Sequence, residues 1–255
     1  MKNNFLWPLT AVILFVAMIT VNVLANTLPI NGLDTGEVSD LYPSLFTPSG
    51  ITFSIWSVIY FFLVGTVAVM WTNRNNILIQ KLLPLFCASC LLNLSWIIAW
   101  HYLLPGVSVI IMVSLLVVLI TIFNALNAAG DLDTTKRIWV KFPFTIYLAW
   151  ISVATIANIS AFLISLGWTG GFLSEEAWTV IMMFAAAAIA FVITSKFHAP
   201  WYSAVVIWAL LGIFLKRQGT GYDYIVYSSI VFATVLALNI LYTIRRNRRH
   251  IVANR

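Results

Sequence analysis

The sequence predicts an all-α integral membrane protein with about eight transmembrane helices. Two features of composition indicate this class: 62% of the 255 residues are hydrophobic and only 9% are charged, whereas an ordinary soluble domain has roughly 25% charged residues. The third observation is the pattern, because long apolar runs alternate with short polar turns along the chain. With so few polar side chains, this chain cannot cover a folded core in water, and we expect it to fold in a bilayer.

The first four helices follow from the length that a bilayer requires, about 20 predominantly apolar residues. The runs at 5–25, 50–72, 80–102 and 105–126 meet this requirement. A polar stretch at 72–76 and the Pro105-Gly106 pair separate the later three. The first run also resembles a secretory signal peptide, because small residues near Ala25 suit a signal peptidase, but its length favours a retained helix.

The last four helices are predicted at 138–166, 177–195, 201–216 and 224–244. Glycine-containing turns near residues 130, 170 and 220 mark their boundaries. The run at 138–166 is long and the run at 201–216 is short. Tilting accommodates a long span and local thinning of the bilayer a short one, so both runs still fit a transmembrane helix.

The distribution of Lys and Arg predicts a multi-pass protein of the cell membrane with both termini in the cytoplasm. Cytoplasmic loops carry an excess of these residues. With the N-terminus inside, only Lys216 and Arg217 of the fourteen Lys and Arg fall outside. The basic tail at 245–249 is interpreted as an orientation signal that contacts anionic membrane lipids, so the sequence pI near 9.5 does not indicate nucleic-acid binding.

The longest loop of the sequence, residues 26–48, is predicted to lie outside and to form a lid. Long loops in compact proteins are commonly functional or disordered. Prolines favour the first alternative here because each fixes its own φ angle. Pro43, Pro48 and the nearby Gly50 are therefore predicted to hinge this semi-rigid segment, which we call the lid.

A ligand-binding pocket under the lid is predicted from three helix faces. Residues three, four, seven or eleven positions apart share one side of a helix, and three runs place aromatic and polar side chains at such spacings. Flat indole walls suit a flat apolar ligand, and a few amides would orient it. The candidate residues are Trp56 and Tyr60 in the second run, Asn93 and Trp96 in the third, and Tyr147, Trp150 and Asn158 in the fifth.

Helix packing is the alternative explanation for the same residues. Amide, hydroxyl and indole groups also form hydrogen bonds between neighbouring transmembrane helices. The spacing alone does not separate the two interpretations, and both stay open at this point.

Three motifs resemble the TspO/MBR family, the tryptophan-rich sensory or translocator proteins. Pro43…Pro48 followed by the stretch WSVIY at 56–60 is similar to the proline-rich loop and second helix of that family. The stretch LNLSW at 92–96 is similar to its third helix. YLAW at 147–150 with ATIAN at 154–158 is similar to its fifth helix. The chain departs from the family where LFTP at 45–48 replaces W-x-P-P and where Ile146 precedes the tyrosine in place of proline.

The resemblance implies a five-helix membrane domain at 1–168 that binds tetrapyrroles or sterol-like ligands from the bilayer. A bound porphyrin or haem-like tetrapyrrole is the cofactor or ligand that it implies. Residues 169–255 then form an additional three-helix membrane segment with a basic cytoplasmic tail, which makes this chain an extended variant. A binding or sensory role is expected, and the alternative is transport of a hydrophobic small molecule, as a carrier or permease subunit.

Catalysis and metal binding are not expected. No Asp, Glu, Lys or Arg lies deep in a predicted span, which disfavours proton-coupled pumps and leaves degradation of a tetrapyrrole as the weaker enzymatic alternative. The three histidines have no metal-ligand spacing, and the CxxC at 87–90 is interpreted as small residues for helix packing. Expected partners are membrane lipids, a hydrophobic small molecule and, for a homodimer, a second copy of the chain.

Overall fold

The eight predicted apolar runs all form helices in the computed structural model, which describes residues 5–28 and 30–253 and the side chains up to Arg246. A short helix, α2, lies within the lid. Five residues used in the predictions lie outside the described residues or side chains. They are Pro29 of the lid and, from the prediction of orientation, Lys2, Arg248, Arg249 and Arg255. The helices are α1 (Leu6–Thr27), α2 (Thr35–Asp40), α3 (Ile55–Thr72), α4 (Ile77–His101), α5 (Pro105–Ala128), the single turn α6 (Thr134–Lys136), α7 (Phe142–Ser165), α8 (Glu175–Phe197), α9 (Pro200–Arg217) and α10 (Asp223–Ala253).

Seven helical segments are long and apolar enough to cross a membrane. They include the segment Gly50–Thr72, which joins a 3₁₀ turn to α3, and the segment Thr134–Ser165, which joins α6 to α7. The chain is therefore a multi-pass membrane protein. The eighth predicted span, α9, is absent from this set. Its 18 residues are long enough, but the polar residues of its first turn and the final Lys216 and Arg217 make it less apolar on average than the other seven.

α9 nevertheless runs the full height of the bundle. It begins beside the start of α7, where Trp201 packs edge-on against Phe142 with ring centroids 5.2 Å apart. It ends beside the lid, where the Lys216 ammonium lies 2.8 Å from the Asp40 carboxylate. The helix therefore connects the side opposite the lid to the lid side, as a crossing helix must.

The first five long helices form a closed ring in which α1, α4, α5, α7 and α3 each pack on the next. Both described ends of the chain lie on the side opposite the lid. There Phe5, just before α1, packs against Trp71 near the end of α3 at 5.2 Å, while α10 starts on the lid side, where the Tyr224 N–H donates to Glu176. The described parts of both termini therefore lie on one side of the bundle, and the placement of that side in the cytoplasm is still a prediction.

A π-helical turn at Arg137–Lys141 explains the length of the fifth predicted span. The wider turn places the Trp139 carbonyl where it accepts a hydrogen bond from the Thr66 hydroxyl at 2.6 Å. The Trp139 ring lies so close to Gly65 of α3 that any side chain there would clash with it. Glycine is thus required at 65 by the close approach of two helices.

Helices α8, α9 and α10 pack against one another, and α9 joins them to the ring by its contact with α7. The Tyr202 hydroxyl of α9 donates to the Ser152 hydroxyl of α7 at 2.7 Å. α8 contacts α7 only lightly, so a space is left between the lid-side halves of these two helices.

Candidate functional site

A small, partly open cavity lies under the lid, at the lid-side end of the five-helix ring. Its volume is about 40 Å³, enough for a few water molecules. Four indole side chains, one from α3, two from α4 and one from α7, form its walls, and lid residues Thr47 and Pro48 cover it. We call this space the central cavity. It is lined by Ser39, Thr47, Pro48, Phe53, Trp56, Trp96, Trp100, Trp150, Val153, Ala154, Ala157, Asn158 and Ala161.

Trp56 is the centre of the aromatic cluster around the central cavity. Its ring lies 6.2 Å from that of Trp150 and 5.9 Å from that of Tyr147, both edge-on. It also lies 6.3 Å from the ring of Trp96 and stacks on Tyr60 at 5.3 Å. These separations are those of favourable aromatic pairs, so the cluster holds the indole faces in defined orientations.

Two indole N–H groups of this cluster have no hydrogen-bond partner among the residues that the structure describes. They belong to Trp96 and Trp150, whose side chains are only 5% and 2% exposed. Most buried donors are paired, and an unpaired one costs about 1–3 kcal/mol. Both residues line the central cavity, but their Nε1 atoms have almost no accessible surface in this conformation, so an acceptor in the cavity would reach them only once the indoles move.

The amides of the predicted site mostly serve helix packing. The Asn93 side chain accepts from Asn22 of α1 at 2.9 Å and donates to the Tyr147 hydroxyl of α7 at 3.0 Å. Asn93 and Tyr147 are fully buried and form the floor below the central cavity. Asn158 lines the cavity itself, while its carbonyl accepts from the Ser108 hydroxyl of α5 at 3.0 Å.

Tyr60 faces a second space, a groove between α1 and α3 with a volume of about 400 Å³. Asn22, Asn26, Ser57 and Tyr60 contribute polar groups to this α1–α3 groove. Phe53 and Trp56 line both the groove and the central cavity. These two rings therefore form the partition between the two spaces.

The lid is clamped by α9, a helix of the C-terminal segment that the sequence analysis did not connect with the site. The Arg217 guanidinium donates to the backbone carbonyls of Ser44 at 2.7 Å and Leu45 at 3.1 Å. Ser49 N–H, just after the lid, donates to the Gly212 carbonyl at 3.0 Å. These bonds fix the segment that covers the central cavity.

Two further residues of α9 complete the clamp, one through its side chain and the other through its backbone. The Trp208 indole N–H donates to the Thr52 carbonyl at 2.9 Å. At Gly212 the backbone of α9 approaches Thr52 and Pro48 so closely that any side chain would clash with them. The one sequence signal for this contact was the Lys216–Arg217 pair, which holds the only Lys and Arg predicted to lie on the outer side.

The predicted hinge residues of the lid have different positions. Pro48 lines the central cavity and packs on α9, whereas Pro43 lies away from the cavity, beside the lid-side half of α7. Gly50 starts the 3₁₀ turn Gly50–Ser54, has ordinary negative φ and leaves room for a side chain. The structure therefore gives no conformational reason for glycine at 50.

The other end of the lid is held by His101, one of the three histidines whose spacing gave no indication of a role. Its side chain is fully buried. One ring nitrogen lies 3.1 Å from the Thr35 hydroxyl and the other 3.2 Å from the Ile30 carbonyl. Helix α2 of the lid is further stabilised by a capping box between Asp34 and Glu37, so the lid is a structured element.

Comparison with known proteins gives one match. The family model described as TSPO-like protein matches residues 8–242, a range that includes α8, α9 and most of α10 as well as the five-helix ring. No curated protein and no solved structure shows a significant match.

Proposed function

Because the chain belongs to the TSPO-like protein family, we propose that it is a membrane binding or sensory protein for a flat apolar ligand, such as a tetrapyrrole or a sterol-like lipid. The observation that carries the proposal is the pair of unpartnered indole N–H groups of Trp96 and Trp150 at the central cavity. The indole faces would hold the body of the ligand. The two N–H groups would bind an acceptor at its edge, such as a carbonyl, carboxylate or hydroxyl oxygen.

The central cavity, at about 40 Å³, is too small for such a ligand, because small-molecule pockets usually measure about 300–1,000 Å³. The conformation described is therefore a closed one. Rotation of Trp56 and Phe53, the partition, would join the cavity to the α1–α3 groove of about 400 Å³. We propose that the ligand enters from the bilayer through this groove and that the lid and the partition move together.

The proposed activity is binding without catalysis. The lining of the central cavity contains no ionisable side chain, so it offers no general acid or base for degradation of a tetrapyrrole. It also contains no His, Cys, Met or Tyr that could ligate haem iron. The cavity would thus recognise the flat apolar body of a porphyrin, and a metal-free porphyrin should bind as well as its iron complex.

Transport of the ligand is the second candidate function. A path across the membrane would have to pass the floor of the cavity, where Asn93 and Tyr147 are hydrogen-bonded and Phe86 and Phe144 are fully buried below them. This packing favours binding over transport. Sealed vesicles containing only this protein would decide: we expect no entry of the ligand above that of protein-free vesicles.

The ligand class can be tested on protein purified gently from its native membrane. We expect mass spectrometry of the co-purified molecules to identify a flat polycyclic compound with an oxygen acceptor. The compound should be lost from a Trp96→Phe/Trp150→Phe variant, which keeps the rings and removes both N–H donors. Recovery of bulk phospholipids alone from both proteins would overturn the proposal.

A further inference from the structure

A third space, larger than the two described above, lies between α7 and α8 on the lid side. Its volume is about 640 Å³, within the range of small-molecule sites. α7 separates it from the central cavity: Ala157 and Ala161 face the cavity, whereas Ile156, Ser160 and Leu163 face this α7–α8 groove. Ile159 in its wall is 39% exposed on a membrane-spanning helix, so the groove is open on the bilayer-facing side of α7.

The wall of the α7–α8 groove is mostly apolar, and its end nearest the membrane surface is built from two indoles. Trp168 and Trp178 pack edge-on with ring centroids 5.4 Å apart. The Trp178 N–H donates to the Gly170 carbonyl at 2.6 Å, which ties the α7–α8 connection to α8. Lid residues Ser44 and Leu45, which Arg217 holds, form another part of the wall.

Glu175 is the one ionisable residue among those lining this groove. It lies at the start of α8, is exposed and sits at the mouth formed by the two indoles. The neighbouring Glu176 does not line the groove, and its carboxylate accepts from the Tyr224 N–H at 3.2 Å. An apolar groove inside the membrane with a single carboxylate at its surface end is complementary to a cationic amphiphile.

We propose that the α7–α8 groove is a second binding site, separate from the central cavity, for an amphiphile with a cationic head group. Its apolar body lies along Ile156, Leu163 and Met182 within the membrane. Its positive group lies beside Glu175, between the headgroup region and the two indoles. An occupant would also contact Ser44 and Leu45 of the lid. It would therefore shift the equilibrium between lid positions without itself entering the central cavity.

The test uses two probes of equal chain length and permanent opposite charge, 4-bromododecyltrimethylammonium and 4-bromododecyl sulfate, whose bromine lies near the head group and therefore near Trp168 and Trp178 in the proposed site. The protein is held in phosphatidylcholine nanodiscs, and bromine quenches nearby tryptophan fluorescence. We expect the cationic probe to quench saturably and to bind two- to fivefold more tightly than the sulfate, the range for an exposed ion pair. Trp168→Phe/Trp178→Phe should remove most of the quenching amplitude, and Trp201→Phe on α9 should not.

Glu175→Gln should abolish the preference for the cation, whereas the matched control Glu176→Gln should keep it. Three results would overturn the proposal: quenching that rises with probe concentration without saturation, equal binding of both probes, or a preference that survives Glu175→Gln. Absence of quenching in nanodiscs that hold two copies of the chain would show that a second copy covers the groove, which also overturns it.

Discussion

At the scale of single residues, the structure assigns helix packing to Asn93, and ligand binding by the neighbouring indoles is still a proposal. Asn93 forms cross-helix hydrogen bonds to Asn22 and Tyr147, whereas the indoles of Trp96 and Trp150 have no hydrogen-bond partner among the described residues. Helical spacing predicted that Asn93 and Trp96 share a face. It could not predict this division, because a period fixes the direction of a side chain and not its depth or its partner on another helix.

Removal of the Asn93 amide should destabilise the protein. Asn93→Leu breaks two buried bonds and leaves the Tyr147 hydroxyl without a donor, so we expect a loss of about 1–2 kcal/mol. Tyr147→Phe breaks only one bond and should cost less. The measurement is the melting temperature of each variant in the same detergent.

Asn127→Leu is the matched control for this prediction. The Asn127 side chain bonds only to the Phe123 carbonyl of its own helix, so its replacement should leave the melting temperature nearly unchanged. An Asn93→Leu protein as stable as the Asn127→Leu protein would contradict the packing role of Asn93.

At the scale of elements, the sequence predicted the helices well and their contacts poorly. The predicted ends of the eight runs agree with the structure within a few residues, apart from α10, because apolar length and polar breaks are local signals. The clamp between α9 and the lid joins residues 173 positions apart, such as Ser44 and Arg217. No local pattern encodes such a contact, and only the unexplained charge of Lys216 and Arg217 indicated it.

The clamp should depend more on Arg217 than on its neighbour Lys216. Arg217→Gln removes two charge-assisted hydrogen bonds to lid carbonyls, and such bonds are stronger than neutral ones. Amides at 44–49 should then exchange with deuterium roughly tenfold faster, as a local opening easier by about 1.4 kcal/mol would give. Hydrogen–deuterium exchange with mass spectrometry measures this directly.

Lys216→Gln provides the matched comparison, since it removes the same charge from the next residue. Its pair with Asp40 is partly exposed, and exposed pairs contribute about 0–1 kcal/mol. Exchange in the lid should therefore change little. Equal effects of the two substitutions would show that net charge, and not the two backbone contacts of Arg217, holds the lid.

At the scale of the whole molecule, the five-helix ring and the three further helices follow the order that the sequence predicted. The predicted boundary at residue 168 is still a prediction, and two findings bear on it. The family match continues to residue 242, and α9 contacts both α7 and the lid. Composition could predict the long apolar helices but not that a late helix, α9, would hold an early loop, the lid.

Eight crossings with both termini in the cytoplasm predict a specific labelling pattern. We would place single cysteines at Leu41, Asn75 and Gln218, all exposed, in a background with Cys87→Ala and Cys90→Ala. An impermeant thiol reagent added to intact cells should label positions 41 and 218 and spare position 75. Labelling of 41 without 218 would show that α9 does not cross, and labelling of 75 alone would reverse the orientation.

The central claim is that Trp150 presents its N–H to a flat ligand in the cavity under the lid. The most direct measurement is the titration of protoporphyrin IX into the protein in nanodiscs, followed by tryptophan quenching, for wild type, Trp150→Phe and Trp201→Phe. We predict saturable binding by the wild type. Trp150→Phe should weaken binding about fivefold or more, since a hydrogen bond contributes about 1 kcal/mol, whereas Trp201→Phe, on the opposite side of the bundle, should bind as the wild type does. Absence of saturable binding by the wild type, or equal weakening by both substitutions, would contradict the claim.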